Sequence, residues 1–256
     1  MKFPSSTALA TIGNNRKTGL DRTAMVEPFF FVEREYNKNM SEENRETLAV
    51  YDKAAQIYLD GKSARDNERP DRAREKREQL AKKMREAFGA LPAGAKLLEI
   101  GSADGENAKI LESFGYNVTA SDVAPAFIAA CEKQGLKTVK FNVLADDFSD
   151  NYNGIFCWRV FAHFTREDIA MALTRIYDAL LPGGRFMFNV FDRATHDCDS
   201  EMKDFPGNYE MGAKRYFAYY RKEEILNMIM KTNFKLVKEW HEHGGHNDWH
   251  CFVLEK

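Results

Sequence analysis

The stretch Leu97-Leu98-Glu99-Ile100-Gly101-Ser102-Ala103-Asp104-Gly105 constrains this chain more than any other. A short apolar run, Lys96 to Ile100, reads as a buried strand. Glu106–Phe114 then has helical spacing, with Ala108, Leu111 and Phe114 on one face. Between them two glycines permit a sharp turn and let a ligand approach the main chain closely. The start of the following helix offers unpaired N–H groups and partial positive charge, which suits an anionic or zwitterionic ligand. The next strand, Tyr116–Ser121, ends on Asp122. In a βαβ unit an acid at the tip of the second strand sits beside the first turn, where a carboxylate accepts both hydroxyls of a ribose. A nucleoside-containing cofactor is therefore expected.

Two cofactor classes compete. The dinucleotide fingerprint needs glycine at its first, third and sixth positions. Counted from Gly101, the third is Ala103 and the sixth is Glu106, so a nicotinamide-dependent oxidoreductase is disfavoured. The pattern acidic-x-Gly-x-Gly-x-Gly fits better through Glu99, Gly101 and Gly105, with Ala103 as a departure from the usual glycine. This resembles the first motif of class I S-adenosylmethionine-dependent methyltransferases. Leu180-Leu181-Pro182-Gly183-Gly184-Arg185-Phe186 resembles the family's helix, Pro-Gly-Gly turn and fifth strand. Tyr51-Asp52-Lys53-Ala54-Ala55-Gln56-Ile57-Tyr58 resembles a segment that precedes many small-molecule methyltransferase domains.

The remaining elements follow that order. A helix is expected over Glu43 to Leu59, with Leu48, Tyr51, Ala55 and Tyr58 on one stripe. Gly61 to Pro70 reads as a charged link, and Asp71 to Phe88 as a second helix. From Lys62 to Gly89 ten Lys/Arg mix with six Asp/Glu, the mark of a solvated helix face. Pro125–Gln134 is a helix with a favourable first-turn proline. Leu136–Phe141 is the third strand and Ile155–Trp158 the fourth. Thr165 and Asp168 make a capping box for the next helix. Arg185–Phe191 is the fifth strand, followed by Asp192–Arg215, a polar connector without a clear period. Lys222–Thr232 is the last helix. Phe234–Glu242 and Asp248–Glu255 flank Gly244-Gly245 as a terminal hairpin.

The expected fold is α/β: a Rossmann-like, seven-stranded, mostly parallel sheet with helices on both faces, an antiparallel last strand and an N-terminal helical cap. Residues 1–90 are expected to form an arm and the cap, with Pro28-Phe29-Phe30-Phe31-Val32 packing on the main domain or on the partner in a homodimer. Residues 91–256 form the S-adenosylmethionine-binding domain, with 192–215 as a substrate-side insertion. The resemblance implies that Glu99, Gly101, Ser102 and Gly105 hold the methionine end of the cofactor. It also implies that Asp122 binds the ribose and Val123 and Asn142 meet the adenine, with Val143, Arg159 and Tyr58 completing the site.

Methyl transfer from a sulfonium mainly needs alignment of the acceptor, and a hydroxyl acceptor also needs a base. Four of the six histidines lie between His241 and His250. In the family topology the last hairpin turn falls on the cofactor rim, so His241, His243 and His246 are candidate bases, with His163 a fourth. Their spacing matches no standard zinc motif, and no metal is expected. The implied reaction uses S-adenosylmethionine, releases S-adenosylhomocysteine, and methylates an oxygen or nitrogen of a small molecule or sugar. An RNA or protein methyltransferase docking through Asp71–Phe88, or a cofactor-binding module without turnover, is the alternative.

A net charge of −2 gives no general attraction for nucleic acid or an anionic membrane. Cys131, Cys157, Cys198 and Cys251 show no paired spacing and read as reduced thiols of a cytoplasmic protein. Met1 to Gly13 lacks a long apolar core, and no run approaches a membrane span, so neither a signal peptide nor a membrane anchor is expected.

Overall fold

Alternation along the central strands divides the buried side chains between the two faces of one sheet. Strand β1 (Lys96–Ile100) sends Leu98 and Ile100 to one face and Leu97 to the other. On β5 (Leu180–Asp192), Phe186, Phe188 and Val190 join the first core, while Met187 and Phe191 join the second. The first core is closed by α5 (Arg166–Ala179) and α6 (Lys222–Met230), the second by α2 (Pro70–Phe88) and α3 (Glu106–Ser113). These positions belong to a computed structural model that describes residues 40–204, 210–244 and 247–256. The apolar cluster at 28–32 and His246 lie outside the described residues.

The sheet has the expected class, mostly parallel with an antiparallel last strand, but it holds nine strands among the described residues where seven were expected, because β6 and β7 are added beside β5. With β2 (Asn117–Asp122), β3 (Lys137–Lys140) and β4 (Tyr152–Cys157), the order β3-β2-β1-β4-β5 is parallel throughout. The last strand, β9 (Asp248–Glu255), runs antiparallel to β5, and β8 (Lys235–His243) runs antiparallel to β9. That makes β8 parallel to β5, so the turn between β8 and β9 falls at the carboxyl ends of the parallel strands. Helix α4 (Pro125–Lys133) returns the chain from β2 to β3.

Two expectations need correction. The link at Gly61–Pro70 is not a break: α1 runs unbroken from Glu42 to Glu68, 27 residues. One glycine costs a helix only about 1 kcal/mol. What stops α1 is Pro70, which drives Arg69 out of the helical region to φ −137° and ψ 63°. The connector 192–215 is also not featureless. It holds β6 (Ser200–Lys203) and leads into β7 (Arg215–Tyr220), all six residues of which are buried. Strand β7 pairs parallel with β5 through Phe191 and Asp192, and β6 lies antiparallel on β7. Because β7 is buried on both faces, it shows no alternation, and its aromatic run carries no period-2 strand signal.

Helix α1 is pinned at its start. Ser41 caps it by accepting from the Asn44 N–H at 3.2 Å, and its own hydroxyl donates to Asp168 at 2.6 Å. The same carboxylate completes the expected capping box of α5 with Thr165. Further along, Tyr51 and Tyr58 pack on Phe127 of α4. No helix among the described residues is long and apolar enough to cross a membrane.

Candidate active site

The turn after β1 is built on backbone conformations that side chains resist. Gly101 has φ +76°, and a Cβ there would lie 2.3 Å from Cγ2 of Val160. Gly105 has φ +81°, and its Cβ would meet Leu136 at 2.5 Å. Two serines staple the turn to β2. The Ser121 N–H donates to the Ser102 hydroxyl at 3.0 Å, and the Ser121 hydroxyl donates to the Glu99 carbonyl at 2.6 Å. Ala103, at the departure from the motif, also has a positive φ, of 48°. A left-handed alanine costs about 1–2 kcal/mol. We expect Ala103→Gly to stabilise the protein by about 0.5–1 kcal/mol, the relief being partly offset by loss of a half-buried methyl. Denaturant unfolding checks this, and an unchanged midpoint would contradict it.

Asp122 closes the turn from the side. Its carboxylate accepts from the N–H groups of Ala103 at 3.0 Å, Val123 at 2.8 Å and Ala124 at 3.2 Å. Burial nevertheless pushes its pKa up to about 6, against the lowering effect of those three donors. Glu99 lies behind the turn, 1 % exposed, and burial pushes it up to about 8, so it is mostly protonated at neutral pH.

A cavity of about 600 Å³ opens at the carboxyl ends of the strands. Gly101, Ser102, Asp122, Val123, Asn142, Val143, Arg159 and Tyr58 line it, whereas Glu99 and Gly105 support the turn from outside the lining. Asn142 accepts from the Leu144 N–H at 2.9 Å, and its amide nitrogen approaches the Met40 sulfur at 3.2 Å. Arg159 follows β4 with φ 66°, its N–H donating to the buried Asn189 at 2.7 Å and its guanidinium 5.5 Å from the Trp249 ring centroid. Over the turn, Lys62 of α1 pairs with Asp104 at 2.6 Å and Glu106 at 3.0 Å. Burial alone would lower its ammonium; the two carboxylates outweigh that and hold it above the usual lysine range.

A family model described as a methyltransferase domain matches residues 72–239. This chain belongs to the methyltransferase family. No curated protein matches it. Among solved structures, an S-adenosylmethionine-dependent methyltransferase from Methanosarcina mazei is 14 % identical, with TM-score 0.59 over 66 % of this chain and 95 % of that one. The glycopeptide N-methyltransferase MtfA, complexed with S-adenosylmethionine, is 13 % identical with TM-score 0.54 over 68 % and 92 %. The CcbJ methyltransferase from Streptomyces caelestis is 15 % identical with TM-score 0.54 over 68 % and 88 %. At such identities these likenesses show the fold, which is the class I fold implied by the motifs.

The candidate bases of this methyltransferase fall in different surroundings. His163 lines the cavity and is buried. Its Nδ1 lies 2.7 Å from the Tyr216 carbonyl, which can only accept, so Nδ1 carries the proton. Its Nε2 is then an acceptor for the Tyr51 hydroxyl at 2.9 Å. Burial pushes the His163 pKa down to about 4, so the ring is neutral at physiological pH. Tyr51 also accepts from Arg215 at 3.1 Å and lines the cavity. His243 lines the mouth, while His241 is turned toward Asp192 at 2.8 Å. The resemblance implied that Tyr51 lines the site from the cap helix, and it does line the cavity; Arg215, Asp192 and His250 carried no site signal in the sequence. Arg215 meets Tyr51 only because β7 exists, and Asp192 meets His250 only through strand register.

Proposed function

We propose that this methyltransferase binds S-adenosylmethionine in the cavity and transfers the methyl group to an oxygen or nitrogen of a small molecule or sugar. S-adenosylhomocysteine is then the product. The observation that carries the reading is the Asp122 carboxyl, held at the cavity wall beside the Gly101 turn by three backbone donors. The donor set fits the cofactor: a carboxylate for the ribose, an apolar wall of Val123, Phe127 and Phe141 with the Asn142 amide for the adenine, and open main chain at the turn for the methionine. When bound, the cofactor supplies a methyl group already activated on a sulfonium.

The protein's work is then alignment, which lowers barriers by about 7–11 kcal/mol. Glu99 and Gly105 back the turn, while Ser102, Val143, Arg159 and Tyr58 close the site. Tyr51 faces the acceptor. It donates to His163 and accepts from Arg215, and its second lone pair can receive the acceptor's O–H or N–H. A proton taken there can pass to Nε2 of the neutral His163. His243 guards the mouth. Helices α1 and α2 act as the cap of the domain 91–256, and the expected arm lies outside the described residues.

Calorimetry tests the cofactor: S-adenosylmethionine or S-adenosylhomocysteine binds and NAD does not, and the reverse would overturn the proposal. Transfer of a labelled methyl group to a panel of small hydroxyl and amine compounds tests the acceptor. Label found instead in RNA, with binding lost steeply as salt is added, would replace the small molecule by a nucleic acid. Tyr51→Phe is expected to lower turnover by about 10²-fold with cofactor affinity within threefold of normal. Full turnover in that variant would remove Tyr51 and His163 from the proton path.

A further inference from the structure

We propose that Asp192, His241 and His250 form a binding site for a divalent transition-metal ion of the zinc or manganese class. The three residues come from three strands adjacent in the sheet, β5, β9 and β8. Asp192 is the last residue of β5, His241 sits on β8 and His250 on β9. His241 and His250 are direct partners in the β8–β9 register, and His250 pairs with Val190, two positions before Asp192. Sheet hydrogen bonds therefore set all three side chains, and no loop has to be ordered to bring them together.

Both imidazoles present Nε2 to one carboxylate. His241 Nε2 lies 2.8 Å from Asp192 Oδ2, and His250 Nε2 lies 3.1 Å from Asp192 Oδ1. The ligand atoms of the three residues all lie within 4.8 Å of one another. Imidazole and carboxylate ligands bind zinc at about 2.0–2.2 Å. Donor atoms around such an ion stand about 3.3 Å apart in a tetrahedral shell, close to the spacing found here. The Ala194 N–H also donates to Asp192 Oδ1 at 2.8 Å and fixes the carboxylate's orientation.

Exposure and charge agree with an ion site. The side chains of His250 and Asp192 are 12 % and 11 % exposed, and that of His241 is 36 % exposed, so the cluster is sheltered yet open on one side. Asp248 lies 4.0 Å from His241 Nε2 and 3.0 Å from His243 Nδ1. Two imidazole donors beside two carboxylates make a ligand set that suits a dication. Asp248 either becomes a fourth ligand or orients His241 from outside the shell. His243 lines the cavity mouth, so an ion held here communicates with the cavity through Asp248 and His243. Two histidines and one carboxylate leave coordination positions open, a set that suits zinc, manganese or ferrous iron. Spacing along the chain concealed the set, because Asp192 stands 49 positions from His241. The site does not rest on the methyl-transfer reading.

The test uses the full chain without a histidine tag, freed of metal by chelator dialysis and titrated with zinc chloride in a calorimeter. One ion per chain should bind in the micromolar range or tighter, with a rise in Tm. The double variant His241→Ala/His250→Ala should lose on the order of 100-fold or more in zinc affinity. Its circular dichroism and cooperative thermal unfolding show whether the fold survives. If the double variant does not fold, Asp192→Asn, which keeps the side-chain shape, should lose at least tenfold. His196→Ala, at a histidine outside the cluster, should bind zinc within threefold of normal. Absence of zinc binding by the folded wild-type chain, or equal binding by the variants that remove ligands, would show a hydrogen-bonded His–Asp–His cluster and overturn the proposal.

Discussion

Gly101→Ala is expected to lower affinity for S-adenosylmethionine by about a hundredfold or more. A φ of +76° at this position costs an alanine about 1–2 kcal/mol. Its Cβ would also stand 2.3 Å from Cγ2 of Val160, and overpacking of this kind costs about 1–3 kcal/mol more. The turn can escape both penalties by shifting. It then abandons the conformation in which Ser102 and Asp122 hold it, and binding must restore that conformation. About 3 kcal/mol in total corresponds to roughly two powers of ten in Kd. The double variant Gly101→Ala/Val160→Ala separates the two causes. It removes the steric contact and keeps the unfavourable φ, so about tenfold of the loss should return. Calorimetry reads the affinities, and wild-type binding by the single variant would contradict a role for this turn in holding the cofactor.

Asp122→Ala is expected to cost at least tenfold in cofactor affinity and several degrees in Tm. Hydrogen bonds to a charged carboxylate are each worth about 1.5–3 kcal/mol. The variant loses those proposed to the ribose, and it also strands the N–H groups of Ala103, Val123 and Ala124. The wild-type protein should show the same group in its pH dependence. With its pKa raised to about 6 in the folded protein, Asp122 is protonated at acid pH and cannot accept both ribose hydroxyls. Affinity should therefore fall as the pH drops through about 6. Stability responds in the opposite sense. A raised carboxyl favours folding below its unfolded value near 3.9, and this contribution is lost as the pH rises through about 6. In Asp122→Ala both limbs should disappear. A pH-independent Kd in the wild type would mean that the ribose is held elsewhere.

What could be read from the sequence was what is encoded locally. The run Lys96–Ile100, the glycine turn and Asp122 declare themselves within one βαβ unit, and the structure brings Asp122 to the Ala103 N–H as that unit requires. The Thr165–Asp168 capping box is equally local. Three features were hidden because they depend on distant partners or lack a period. Strand β7 is buried on both faces, so its aromatics do not alternate. Helix α1 passes through Gly61, where a glycine beside charges suggested a link, because Pro70 supplies the actual stop. His163 is singled out by its position after the fourth strand, but its tautomer is set by Tyr216 and Tyr51, on other elements, and its neutrality by burial.

The anchoring of α1 carries a consequence for how the chain assembles. Its N-cap reaches Asp168, 127 positions away; Asn44 donates to the His163 carbonyl across 119 positions; Arg215 bonds Tyr51 across 164; and Thr47 accepts from the Tyr216 N–H across 169. Contacts of such sequence separation carry a large loop-closure cost and form slowly. A ribosome delivers α1 long before β7 has emerged. The helix that roofs the cavity is thus made before the elements that hold it and docks only after them, and until it docks its Tyr51–Tyr58 face stays open to chaperones or to other chains.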